Sequence, residues 1–189
     1  AALPDEGEPL LFLNLDVSIL KEGIVGSGHL IRLLERHGLP ARRVAIELIE
    51  SKISDLRATH RFLDTHREHG FLIALDDVGA GNSNFDRILD LRPDILKLDR
   101  SLVSAIDRDY RKQEAFSCCT RIAQKLGIVV IAEGVETEAE ALGCLERGAE
   151  LMQGYYFARP CAPTPDWPIN DGLARVKGLE AILKQRKLE

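Results

Sequence analysis

Six short apolar runs alternate with amphipathic stretches along this chain, and that alternation limits its fold more than any other feature. The runs are LLFLNLD (10–16), VAIELIE (44–50), FLIALDD (71–77), DILKLDR (94–100), IVVIAEG (128–134) and LMQGYYF (151–157). Each has strand length and is rich in Ile, Val, Leu or aromatic residues. Between them, HLIRLLERHG, EAFSCCTRIAQKLG and TEAEALGCLERG carry helix patterns. The second places Ala115, Phe116, Cys119, Ile122, Ala123 and Leu126 on one face. The third opens on Thr137 and Glu140, the spacing of a capping box. Helices are expected to stop at Gly38, Gly70, Gly127 and Gly148, where a left-handed residue closes the last turn cheaply. A new strand starts soon after each. This repetition predicts parallel strands joined by right-handed crossovers.

Every run also carries a polar residue near its C-terminal end: Asn14, Glu47, Asp76 with Asp77, Lys97, Glu133 and Gln153. In a (β/α)8 barrel that edge is where active sites are built. An open doubly wound sheet concentrates its ligand groups at one switch point instead, and no G-x-G-x-x-G or P-loop pattern follows any run. The expected fold class is therefore α/β, a TIM-like (β/α) barrel. About six of its eight parallel strands are expected in this chain, too few to close it.

Asp76 and Asp77 pose the chemical question. Two carboxylates about 4 Å apart at an effective dielectric near 20 repel by roughly 4 kcal/mol. A shared proton or a divalent cation relieves that cost, and Glu47 and Glu133 add negative charge to the same rim. Protonating several groups at neutral pH is harder than binding metal. The donors are carboxylate and amide oxygens without His or Cys, which selects Mg²⁺ or Mn²⁺ over zinc. Lys97 among these anions suits holding a phosphate oxygen or lowering the pKa of a water. Acidic ligands, one lysine and room for two metals fit phosphodiester hydrolysis, with Glu133 taking the water's proton. Taken singly, these residues have plainer readings: Asp77 as a turn cap, Glu47 paired with Arg42 or Arg43, Lys97 paired with Asp99, Gln153-Gly154 as a bend in a strand. Their recurrence at successive strand ends favours the site.

IELIES resembles the E-x-x-E-S segment of the EAL-domain family, and LDDVGAGNS resembles its L-D-D-F-G-T-G-Y-S loop. LKLDRSLV, VVIAEGVET, LMQGYYFARP and FLNLD resemble four further blocks, so the likeness covers residues 10 to about 160. It implies a TIM-like barrel that hydrolyses the bacterial second messenger cyclic diguanylate to linear pGpG with Mg²⁺ or Mn²⁺. Carried over, Asn14, Glu47 and Asp76 are metal ligands and Asp77 binds the second metal. Lys97 positions water or phosphate, Glu133 is a base or metal-side partner, and Gln153 helps to orient the site. Glu50 supports the loop after Asp77, and Ser83 lies in that loop.

Two departures stand out. The Glu-Ala-Leu segment of the family lies upstream of the asparagine strand, and this chain starts after it, so the resemblance implies an N-terminally incomplete barrel, either a fragment or a natural truncation. Val78, Ala80, Asn82 and Asn84 replace phenylalanine, threonine, tyrosine and serine in the loop that couples metal binding to dimerisation in the family. The alternative they support is a degenerate domain that binds cyclic diguanylate or a protein partner without catalysis. The resemblance also implies a homodimer and additional signalling domains in the full-length protein.

A net charge of −5 argues against a basic patch for a nucleic-acid polymer, while leaving room for one nucleotide held through metal. No run is long and apolar enough to span a membrane. Cys118, Cys119, Cys144 and Cys161 show no C-x-x-C or zinc spacing, which fits a reduced cytoplasm, and the resemblance implies a bacterial one. Cys119 is expected to be buried packing. His60, His66 and His69 are expected to be solvated, and Tyr155, Tyr156 and Phe157 to be barrel core. Residues 1–165 form the expected EAL-like domain, and 166–189 a C-terminal helix serving as linker or dimer contact, or packed on the barrel.

Overall fold

The computed structural model describes residues 10–16, 28–49, 53, 55–80 and 85–160. Glu50, Ser83, Asn82, Asn84, Cys161 and the expected 166–189 helix lie outside these residues. The chain divides into two compact units, Ala1–Lys97 and Leu98–Glu189.

The first unit contains β1 (Leu11–Leu15), α1 (His29–Arg36), a 3-10 turn (Ala41–Arg43), β2 (Val44–Ile49), α2 (Leu56–Glu68), β3 (Leu72–Val78) and α3 (Phe85–Leu91). It ends within β4 (Ile95–Leu98), which carries the chain into the second unit. Strands β1 to β4 lie side by side in chain order. The parallel register pairs Asn14 with Glu47, Glu47 with Ala74, and Ile49 with Asp76. Val44–Leu48 and Leu72–Leu75 are buried throughout, on both faces, as expected of a parallel sheet covered by crossover helices.

Helix α2 buries Ala58, Thr59, Phe62, Leu63 and His66. Asp55 caps it by accepting from the Ala58 N–H at 3.0 Å. His66 corrects the expectation of a solvated histidine. It is 5 % exposed, its ring centroid 3.9 Å from Phe62 and 5.2 Å from Phe71, and its Nδ1 donates to the Phe62 carbonyl at 2.8 Å. Loss of water around the ring lowers its pKa. Only the helical register distinguishes it from His60 and His69.

The second unit contains α4 (Arg100–Val103), α5 (Tyr110–Leu126), β5 (Val129–Glu133), α6 (Glu138–Glu146) and β6 (Leu151–Gln153). β5 and β6 are parallel, with Glu133 opposite Gln153. The α6 capping box is present, Thr137 and Glu140 each accepting from the other's end of the turn. All four expected helix-closing glycines have positive φ, from 63° at Gly38 to 91° at Gly148.

Helix α5 buries a narrower stripe than its pattern predicts: Phe116, Thr120 and Ala123 are buried, while Ala115 and Leu126 are exposed. Thr120 enters the core because its hydroxyl donates to the Arg147 carbonyl at 2.6 Å. Cys119 is half-buried, and burial pushes its thiol up to about 11. The last strand is also shorter than LMQGYYF. It stops at Gln153, and a turn follows. Tyr155 is 50 % exposed and Tyr156 and Phe157 are half-buried, so these aromatics are not the expected core. Gly154 supplies the reason. A Cβ there would lie 2.1 Å from the Val135 carbonyl oxygen, because the loop after β5 closes directly onto this backbone. Among the described residues, no helix is long and apolar enough to cross a membrane.

Candidate metal centre

In the first unit the polar strand ends converge. Asn14 and Glu47 are register partners, and Asp76 lies two residues beyond Ala74, the next partner of Glu47. With period-2 alternation these side chains share one face of the sheet. Lys97 on β4 is 4 % exposed and Glu47 also 4 %. The Lys97 ammonium pairs closely with Glu47 Oε1 and lies 3.2 Å from Asp76 Oδ1. These pairs replace the alternatives with Arg42, Arg43 and Asp99. The last instead caps α4, accepting from the Ser101 N–H at 2.8 Å.

Adjacent residues in a strand normally face opposite ways. Asp77 escapes that rule by taking a left-handed backbone, φ 59°, and donates its N–H to Asp76 Oδ1 at 3.0 Å. A carboxylate oxygen of each then lies within 4.8 Å of the other. A non-glycine residue held at positive φ is a strained choice that surrounding structure must enforce. Here it delivers two carboxylates to one place. Glu47, Asp76 and Asp77 bring more negative charge to this edge than the Lys97 ammonium alone offsets. That surplus and an all-oxygen donor set fit a hard divalent cation. Asn14 carries an amide oxygen at an exposed position on β1.

In the second unit, Glu133 and Gln153 lie side by side and line a cleft of about 310 Å³ together with Asp99, Arg100, Glu136 and Tyr155. The cleft is held by its backbone. Val135 donates to the Gln153 carbonyl at 3.1 Å, and Tyr156 donates to the Val135 carbonyl at 3.0 Å. Arg100 pairs with Glu136 and packs where a side chain on Gly134 would lie.

Glu140 fastens the loop from behind, and its reach goes beyond its own helix cap. It accepts from Ala105 N (3.0 Å), Glu136 N (2.9 Å) and Thr137 N (3.1 Å). Burial alone would raise its carboxyl. The hydrogen bonds from these three N–H groups, with the Thr137 hydroxyl, outweigh that and hold the pKa below its ordinary value. The capping-box spacing announced the Thr137 contact. Nothing in the sequence announced the one to Ala105, 35 positions away.

The model of the EAL domain matches residues 2–160. The chain belongs to the EAL-domain family. It is 33% identical over 143 residues to the probable cyclic di-GMP phosphodiesterase PdeD of Escherichia coli, covering 75% of this chain and 27% of the relative. It is 33% identical over 156 residues to the cyclic di-GMP phosphodiesterase RocR of Pseudomonas aeruginosa, covering 82% of this chain and 40% of RocR. The chain thus spans well under half of either relative. Among solved structures, the manganese and cyclic di-GMP complex of Klebsiella pneumoniae BlrP1 matches with a TM-score of 0.78 at 35% identity, over 82% of this chain and 40% of that one. The EAL domain of Mycobacterium smegmatis DcpA matches with a TM-score of 0.74 at 28% identity, over 88% of this chain and 71% of that one. The expected class, α/β of the TIM-like barrel type, therefore holds, with six strands among the described residues.

Proposed function

We propose that this EAL domain belongs to a divalent-metal-dependent phosphodiesterase that hydrolyses cyclic diguanylate to linear pGpG. The observation that carries this reading is the Glu47–Lys97–Asp76 cluster with Asp77 folded back beside it. A domain that only binds a dinucleotide has no need of two carboxylates on a buried lysine with a third folded back beside one of them. Relatives named as cyclic di-GMP phosphodiesterases and a manganese-bound structural neighbour support the same chemistry.

In this reading Asn14, Glu47, Asp76 and Asp77 hold two ions, Mg²⁺ or Mn²⁺. Such ions activate a water and stabilise charge on the phosphate in an in-line displacement. Lys97 holds a phosphate oxygen or the water from its fixed place between Glu47 and Asp76. Glu133 accepts the proton of the attacking water, and Gln153 orients the site. The water oxygen bonds to phosphorus, the phosphorus–O3′ bond breaks, and the departing oxygen takes up a proton to become the 3′-hydroxyl of pGpG. Glu50 and Ser83 keep their proposed parts as support and member of the loop after Asp77. The same reading makes the protein a homodimer with further signalling domains in a bacterial cytoplasm.

Asp76→Asn tests it, with cyclic diguanylate turnover followed by product chromatography in Mn²⁺ and in Mg²⁺. The full-length protein should lose turnover by at least about a hundredfold, as expected for a ligand to a metal that activates the nucleophile. Turnover like that of the unaltered protein would overturn the metal role.

A further inference from the structure

We propose that Lys97 sets how tightly Glu47 and Asp76 hold a divalent ion, serving as an internal counter-cation that keeps that ion exchangeable. The inference rests on the metal-dependent reading above and concerns affinity rather than the chemical step. The Lys97 ammonium contacts one oxygen of each carboxylate, Oε1 of Glu47 and Oδ1 of Asp76, and Asp76 Oδ1 also accepts the Asp77 N–H at 3.0 Å. One oxygen of each group is thus committed within the protein, and the second oxygen of each is left for a cation.

The pairing is shielded. The side chains of Lys97, Glu47 and Asp76 are 5%, 5% and 13% exposed, and the Phe12 ring centroid lies 5.9 Å from the Lys97 Nζ. Phe12 precedes Asn14 by two positions, so it flanks the ammonium from the same sheet face. With little water to screen it, the ammonium repels any divalent ion that shares its two carboxylates. For charges of +1 and +2 about 5 Å apart, even the bulk-water dielectric of about 80 gives roughly a tenfold loss of affinity, and a drier site gives more. Lysine therefore trades ion affinity for a pre-arranged pair of ligands.

The test is direct Mn²⁺ binding, read by electron paramagnetic resonance of the free ion, on the full-length protein and its Lys97→Met and Lys97→Arg variants. Lys97→Met should bind Mn²⁺ at least about tenfold more tightly, and Lys97→Arg, which retains the charge, should stay within about threefold of the unaltered protein. Unchanged or weaker binding by a folded Lys97→Met variant overturns the proposal while leaving the metal-dependent reading intact. An unaltered protein that binds no Mn²⁺ overturns both. Should Lys97→Met not fold, the lysine ammonium resonance of the unaltered protein decides. It should shift saturably as Mg²⁺ is added, and a resonance that stays in place at saturating Mg²⁺ refutes the shared-ligand arrangement.

Discussion

Replacing Glu140 with glutamine probes how the loop after β5 is held. Glu140 is 8% exposed, and its carboxylate accepts three backbone N–H groups, Ala105 through Oε1 and Glu136 and Thr137 through Oε2. Glutamine retains a single oxygen. Its better orientation keeps that oxygen toward Glu136 and Thr137 and turns an amide N–H toward Ala105 N. One buried donor is then orphaned, which costs about 1–3 kcal/mol, and two charge-assisted bonds become neutral ones, each weaker by about 1 kcal/mol. The expected loss is about 3–5 kcal/mol, or a Tm lower by roughly 6–20 °C for a domain of this size. Differential scanning calorimetry at pH 7 measures it.

The pH dependence sharpens that test. The Glu140 pKa is lowered in the folded state. Its contribution is therefore complete above its ordinary value of 4.5 and is lost as pH falls through the lower folded value. The difference between the unaltered protein and Glu140→Gln should accordingly shrink on acidification below that point. A variant within about 0.5 kcal/mol of the unaltered protein at pH 7 would refute the claim that these bonds outweigh the cost of burial.

Three further outcomes follow from the same geometry. His66 has a lowered pKa in the fold, so the unfolded chain binds protons first. Stability should fall as pH drops below 6.5, and His66→Leu should flatten that slope in urea titrations at successive pH values. Gly154→Ala places a Cβ 2.1 Å from the Val135 carbonyl oxygen and should cost at least about 1–3 kcal/mol in denaturant unfolding. In the full-length protein, Lys97→Ala should lower kcat more than it alters KM for cyclic diguanylate, and a change confined to KM would assign Lys97 to substrate binding alone.

Strand positions were legible because a parallel strand buried on both faces must be a continuous apolar run, as VAIEL and LIAL show. The site residues were legible because they interrupt those runs: a carboxylate at Glu47 or a lysine at Lys97 has no local reason to be in a buried strand. Partners were harder to read. Lys97 chooses Glu47 and Asp76 over Asp99 because β2, β3 and β4 become neighbours, a fact of topology rather than of spacing. His66 and Tyr155 differ from the pattern-based expectation for a related reason. Burial of His66 depends on Phe71, which follows its own helix, and exposure of Tyr155 depends on Val135, which lies on a different loop.

Asp77 joins the two kinds of information. Its sequence position beside Asp76 would send the carboxylates to opposite faces of β3, and only the left-handed backbone brings them together. Asparagine and glycine adopt that conformation at least as readily as aspartate. A residue selected only to make the turn would therefore carry no charge, sparing the strand end its repulsion with Asp76. Aspartate at this position adds electrostatic cost to backbone strain, a cost that a divalent cation offsets under the proposed function.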